Sequence, residues 1–297
     1  MRKLLALAVC GVLALGAAAC GGDDDDGGGG GSNLSGSIKI DGSSTVGPFA
    51  QAAAEQFQGE NPDVKVSVGT SGTGGGFEKF CAGETDISDA SRPIKDDEEV
   101  PICKKNGVAY KEVQVANDGI AIVTNKDISV DCLTTDQLKS IWNQGSKDKR
   151  YSLYGPGTDS GTFDFFTEQI NGEEGVTRKD YQPSEDDNVL VQGVEGDEKG
   201  LGYFGFSYYE QNKEKLNLVG VDGGSGCVKP STQAIQGGQY KPLSRPLFMY
   251  PSEKALARPE VKAFMDYVVQ NYEQISQASQ IVPMSAEQAS KAKTVLG

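Results

Sequence analysis

Three short stretches hold most of the residues that could do chemistry. They are Ser43–Thr45 in "DGSSTVGP", Thr70–Gly76 in "TSGTGGG" and Thr158–Thr162 in "GTDSGT". Each follows a strand-like run and precedes a helix-like one, so the small residues fall at helix starts. The first turn of a helix leaves amide N–H groups without intrahelical partners and carries a partial positive charge. Glycines let an anion approach that backbone, and serine and threonine hydroxyls add neutral donors. Each turn is therefore a candidate anion cradle. One alone is ordinary helix capping. Three in one chain point to an anion clamp if the fold makes them converge.

Other chemistries fit the same residues poorly. The 297 residues include no histidine, which removes the usual general base, the commonest zinc ligand and the standard partner of a nucleophilic serine. "GTSGTGGG" lacks the Gly-Lys-Ser/Thr ending of a phosphate-binding P-loop and is out of phase with GxGxxG. "GTDSGT" misses the GxSxG nucleophile elbow because Ser160 comes one place late. No catalytic residue, metal or cofactor is expected. The formal charge of −14, from 28 basic and 42 acidic residues, lacks the basic footprint that nucleic acid requires.

The elements that must position the turns alternate between strand and helix. Residues 35–40 and 63–69 alternate as strands, and 49–58 carry helical spacing through Phe49, Ala53 and Phe57. "FEKFCAG" reads as a short helix and 85–94 as a brief strand and loop. Residues 107–126 hold two β-rich runs around Asn117-Asp118-Gly119. Residues 134–144 form a helix with a threonine cap, and 150–155 and 242–251 read as strands. "NVLVQGVEG" is helix or strand, and the aromatic 200–210 packs near the cleft. Residues 257–279 predict one long amphipathic helix, with Val261, Phe264, Met265, Val268, Val269 and Tyr272 on one face. This alternation argues for α/β layers, in which turns at the carboxyl ends of strands are where ligands bind.

The N-terminus reads as an export signal. "MRK" gives a positive start, and "LLALAVCGVLALGAAA" is apolar, short for a spanning helix and ends in small residues. "LGAAAC" resembles a bacterial lipobox, in which Cys20 is lipidated after residues 1–19 are removed. Ala17 stands where that pattern prefers leucine. Removing Arg2 and Lys3 leaves a charge of −16. "GGDDDDGGGGGSNLSG", closing at residue 36, has almost nothing to bury and reads as a disordered tether over 20–36. Four cysteines follow, Cys81, Cys103, Cys132 and Cys227, in a chain bound for an oxidising compartment. Their spacing is unlike a zinc site. Three disulfide pairings are open, of which Cys81–Cys103 with Cys132–Cys227 is favoured because the first closes a local loop.

"DGSSTVGPFA", "GTSGTGGGFEKFCAGETDISDASRPI", "LTTDQLKSIW" and "YGPGTDSGTFDFFTE" occur in this order. Together with the lipobox they resemble the phosphate-binding lipoproteins of bacterial phosphate-specific ABC importers. The resemblance runs from about Ser37 onward, and the combination is specific although no single fragment is. It implies an α/β, two-lobed type II periplasmic-binding-protein fold with the ligand cleft between lobes. It places crossovers near Val115–Gly119 and Gly238–Pro242. Lobe one is then residues 37–116 plus 239–297, and lobe two 117–238.

The resemblance also implies a phosphate site. Thr45 and Val46 supply a hydroxyl and a backbone amide, Ser71 a second hydroxyl, and Ser160, Gly161 and Thr162 the opposite lobe's half. Asp89 matches an aspartate that touches phosphate and accepts the proton phosphate retains near neutral pH. Sulfate has no such proton, so Asp89 acts as a specificity element. Many relatives carry an arginine just before Ser-Gly-Thr, where this sequence has Pro156, and Arg92 is the candidate replacement. Asp159 and Asp164 read as helix caps, since acidic residues suit a first turn, with orienting Arg92 as the alternative role. The implied partners are inorganic phosphate, an ABC permease and, through the lipid anchor, the membrane, with the protein a monomer. The rivals are another tetrahedral oxyanion such as sulfate or molybdate, a phosphate-ester hydrolase, and a sensor or adhesin without binding.

Overall fold

A computed structural model describes residues 34–297 apart from 159 and 185. The signal peptide, Cys20, all but the last residues of the tether, and Asp159 lie outside the described residues. The chain begins with β1 (Gly36–Gly42), α1 (Gly47–Glu60), β2 (Val64–Thr70), α2 (Gly72–Cys81), β3 (Ile87–Ala90) and α3 (Glu99–Lys105). A long strand, β4 (Val113–Asn125), then leads to β5 (Cys132–Thr134), α4 (Thr135–Trp142), β6 (Ser152–Pro156) and α5 (Gly161–Phe166), which runs into a π turn, Thr167–Asn171. Next come β7 (Gln182–Ser184), α6 (Asp187–Gly196), β8 (Gly200–Gly205), α7 (Phe206–Asn212), β9 (Leu216–Asp222), β10 (Cys227–Val228) and α8 (Thr232–Gln236). The chain returns through β11 (Ser244–Pro251) and ends in α9 (Glu253–Leu256), α10 (Pro259–Gln270), α11 (Tyr272–Ser279) and α12 (Ala286–Leu296).

The strands run in the order β2-β1-β3-β11-β4-β8-β6-β7. β1, β2 and β3 are parallel, and β11 pairs antiparallel with both β3 and β4. Beyond β4, the strands β8, β6 and β7 are again parallel to one another. β4 serves both halves. Its first part pairs with β11 as far as Gly119, and its second part pairs with β8 from Ile120 and with β9. Of three apolar clusters, one large core holds Ile38, Phe49, Phe57, Val115, Leu247 and Phe264, another holds Ile120, Trp142, Phe166, Tyr203, Val219 and Leu243, and a smaller one holds Phe77, Phe80 and Tyr250. On the return path the change of core falls between Leu243 and Leu247, whereas the expected crossover was Gly238–Pro242.

Three local expectations are corrected. Asn117-Asp118-Gly119 does not separate two strands, because β4 runs straight through it. The Asn117 N–H donates to the Val282 carbonyl at 2.8 Å, its amide donates to the Pro283 carbonyl and Gln288, and Asp118 takes an arginine from β11. Turn-forming side chains thus find partners across the crossover. The predicted helix 257–279 is two helices. Asn271 ends the first by donating both its backbone N–H and its side-chain amide to the Tyr267 carbonyl, at 2.9 and 3.0 Å. Helix α2 begins at Gly72, five residues before the predicted start, despite its glycines. Packing overrides propensity there, since a Cβ on Gly76 would lie 2.5 Å from Gly42 Cα and 2.9 Å from the Asp41 carbonyl.

Disulfides join Cys81 to Cys103 and Cys132 to Cys227. The first ties α2 to α3 and the second ties β5 to β10. Among the described residues no helix is long and apolar enough to cross a membrane.

Candidate functional site

The parallel order β2-β1-β3 brings three carboxyl-terminal strand ends side by side. Gly42 pairs with Thr70 on one side and with Asp89 on the other. The turn after β1 is stitched to the end of β3 by the Ser43 N–H, which donates to the Asp89 carbonyl at 3.0 Å. Ser43 is buried, and its hydroxyl accepts from the amides of Thr45 and Val46 at 3.2 and 3.4 Å. The loop therefore has a fixed shape. Ser71 caps the start of α2, and its hydroxyl donates to Asp41 Oδ1 rather than pointing free. Burial tends to raise the Asp41 pKa, but the Lys79 ammonium at 2.7 Å and the Ser71 hydroxyl outweigh it and hold the group below its usual value.

Asp89 is the most unusual group here. It is fully buried, and neither carboxyl oxygen has a hydrogen-bond partner; the neighbouring Ser88 hydroxyl has none either. Burial pushes the Asp89 carboxyl up to about 8, opposed by the Ser43 amide and assisted by the Asp41 carboxylate. A Cβ on Gly42 would collide with the Asp89 carbonyl and Oδ1, so only glycine fits beneath that carboxyl group. Buried polar atoms are nearly always paired. An orphaned carboxyl at the meeting of three strand ends marks a place where a ligand completes the bonding.

The other half of the cleft is the start of α5. Ser160 is its N-cap, with its hydroxyl accepting from the Thr162 amide at 3.2 Å, while Phe163, Phe165 and Phe166 bury the helix behind it. Gly161 meets the opposite loop directly. A Cβ there would strike Thr45 Oγ1 and lie 2.6 Å from Ser44 Oγ and 2.7 Å from the Thr45 amide nitrogen. The two loops approach each other here through backbone and hydroxyls.

The structure brings Thr45 and Gly161 together around a residue that sequence reasoning missed, Arg245 on β11. Its guanidinium donates to Thr45 Oγ1 at 2.8 Å and to the Gly161 carbonyl at 3.1 Å, and ion-pairs with Asp118 at 3.2 Å. It stacks on the Phe165 ring at 3.9 Å. Burial pulls its pKa down, and Asp118 acts against that. Arg92, the expected cation, is committed elsewhere. It makes two bonds to Glu99, at 2.7 and 2.9 Å, and lies over Phe77. The available signal for Arg245 was "LSRPLF", an arginine inside an otherwise apolar strand.

A cavity of about 580 Å³ opens beside this contact, lined by Thr45, Ser71, Arg92, Gly161 and Arg245, together with Asp164 from α5. Val46, Asp89, Ser160 and Thr162 do not line it. Asp164 is not the cap of its helix, since Ser160 fills that role. Among the described residues no cluster of His, Cys, Asp or Glu is arranged to hold a metal.

A two-lobed α/β molecule whose lobes meet over hydroxyls, amides and one arginine is a solute-binding protein by architecture. The profile described as PBP superfamily domain matches residues 28–271. SphX of Synechococcus elongatus is 45% identical over 265 residues, covering 84% of this chain and 78% of that protein. The phosphate-binding protein PstS of Staphylococcus saprophyticus is 45% identical over 245 residues, covering 78% and 75%. A crystal structure described as a possible phosphate binding protein from Planctomyces limnophilus superposes with a TM-score of 0.83 at 40% identity, covering 89% of this chain and 98% of that one. The chain belongs to the PBP superfamily and, within it, to the family that contains SphX and the phosphate-binding protein PstS. It is a substrate-binding protein and not an enzyme.

Proposed function

We propose that this chain captures inorganic phosphate between its lobes outside the cytoplasm and presents it to an ABC permease. In this reading a lipid on Cys20 anchors it, and residues 20–36 form the tether. Lobe one extends over residues 37–116 and 244–297, and lobe two over 117–243, the return boundary following the change of core between Leu243 and Leu247. The observation that carries the reading is the buried, unpartnered Asp89 carboxyl beside the Ser43–Val46 loop. The relatives named for phosphate binding add support.

Thr45, Val46 and, once its hydroxyl turns from Asp41 Oδ1, Ser71 donate from lobe one, and Ser160, Gly161 and Thr162 from lobe two. Arg245 takes the place of Arg92 as the cation, since of the two arginines it is the one that bonds to both loops. Asp89 shares one proton with the ligand. With its pKa raised to about 8, that proton can sit on the carboxyl or on phosphate, so the buried pair is satisfied either way. Sulfate finds a donor only while Asp89 is protonated.

Calorimetric titration of the mature domain with phosphate, sulfate and molybdate tests the reading. Phosphate binds and the other two bind far more weakly at pH 8.5; equal binding of sulfate at that pH would falsify it. A strong fully deprotonated ligand would favour the sulfate reading instead.

A further inference from the structure

The cavity beside the Thr45–Gly161 contact has an uneven charge balance. Three cations line it, and each is already ion-paired: Arg245 with Asp118, Arg92 with Glu99, and Lys95 with Glu98. Three carboxylates also line it, Asp164, Glu168 and Glu174, and none forms an ion pair among the described residues. An anion approaching Arg245 thus meets a wall whose positive charge is spent and whose negative charge is not.

The three carboxylates are not equivalent. Glu168 and Glu174 are exposed, and water screens them. Asp164 is half-buried in the first turn of α5, three residues after Gly161. It sits on the same short helix as Phe165, on whose ring Arg245 stacks. We infer that Asp164 is a specificity-determining residue, which penalises doubly charged oxyanions and favours the singly charged, proton-bearing form.

The groups that face Asp164 are Glu174, Arg245 and Glu168, with the Tyr203 hydroxyl of β8 in its field and Arg92 and Lys95 across the cavity. Burial raises its pKa to about 6, Glu174 and Glu168 add to the rise, and Arg245 opposes it. It is therefore neutral at pH 5 and charged at pH 7.5. Asp89, at about 8, titrates in a separate and higher window.

This inference rests on the phosphate reading, and its test separates the two. Phosphate affinity is measured by calorimetry from pH 5 to 8.5 for the unmodified domain and for Asp164→Asn, and expressed as the ratio of their Kd values at each pH. The ratio is expected near one at pH 5 and to rise to roughly five- to tenfold by pH 7.5, the variant binding tighter. Asp164→Ser gives the same pH dependence, which guards against a folding defect in one variant. A ratio flat across pH, or a variant weaker at every pH, overturns the role of Asp164 while leaving phosphate binding intact. Absence of phosphate binding to the unmodified domain at any pH overturns both.

Discussion

Two arginines line the same cleft, and they are held in opposite ways. Arg92 follows β3, is about a third exposed, and gives two of its hydrogen bonds to Glu99 of α3. Arg245 lies on β11, is nearly buried, and divides its bonds between Asp118 on β4, Thr45 of one lobe and Gly161 of the other. The first arginine fastens a helix to its own lobe. The second sits where β4 and β11 cross between lobes and reads the distance between the two halves. Proximity in sequence to the aspartate of the site favoured Arg92. The antiparallel pairing of β11 with β3 favours the other, since it sets Met249 against Asp89 and carries Arg245 on to Asp118.

The sharpest way to break this comparison is to remove Arg245. Arg245→Ala removes the cation held against Thr45 and Gly161; charge-assisted bonds from it to a bound anion are each worth about 1.5–3 kcal/mol, so phosphate affinity falls by on the order of a hundredfold or more by calorimetry. It also leaves Asp118 without its ion pair, so thermal stability drops; Asp118→Asn with Arg245→Ala recovers part of the stability and none of the affinity. Next in size is Gly161→Ala. The added methyl group strikes Thr45 Oγ1, so the lobes close incompletely. Affinity falls roughly tenfold or more while the melting temperature without ligand changes little, which small-angle scattering with and without phosphate would register as a reduced change in radius.

Much of this was legible in the sequence where local chemistry decides. The Thr134 cap predicted for α4 is present as a full capping box with Gln137. Ser160 starts α5, and Phe163 and Phe166, which follow the small residues at helical spacing, anchor it, joined by the buried Phe165. Residues whose partners lie far along the chain were not legible. Asn117-Asp118-Gly119 looks like punctuation until Val282, Gln288 and Arg245 arrive from the C-terminal third to satisfy it. Gly119 illustrates the same point. It serves packing and not a turn, because a Cβ there would overlap Ile235 of α8. The cation was missed for this reason: no spacing rule links residue 245 to residues 45 and 161.

Asp89 permits a test with a smaller effect on affinity and a definite sign in pH. Its carboxyl has a folded pKa near 8 against an ordinary 3.8, so the folded state holds a proton that the unfolded state has released between those values. Stability is therefore fullest below about pH 4 and declines as pH rises toward 8. Asp89→Asn removes that dependence and stabilises the ligand-free domain at pH 7 by an upper bound of about 4 kcal/mol, so its melting temperature rises. The variant keeps a donor in place of the shared proton, so phosphate affinity falls only severalfold while rejection of sulfate at pH 8.5 is lost. A melting temperature below that of the parent at pH 7 would contradict the buried, neutral carboxyl.

Arg92 carries the smallest predicted effect on binding, and it sharpens the comparison most. If Arg245 is the cation of the site, Arg92→Ala changes phosphate affinity by no more than about threefold. The substitution still strips Glu99 of its guanidinium, leaving a carboxylate that is 10% exposed with the Lys95 amide as its one remaining hydrogen-bond partner among the described residues. An unpaired, mostly buried charge destabilises the fold by roughly 1–3 kcal/mol, so the melting temperature falls although binding persists. Arg92→Ala with Glu99→Gln restores much of the loss, because the pair is removed together. Arg92 and Arg245 thus separate cleanly in two measurements: the first mutation costs stability and spares affinity, the second costs both. A hundredfold loss of affinity in Arg92→Ala, with the melting temperature unchanged, would reverse the roles assigned to the two arginines.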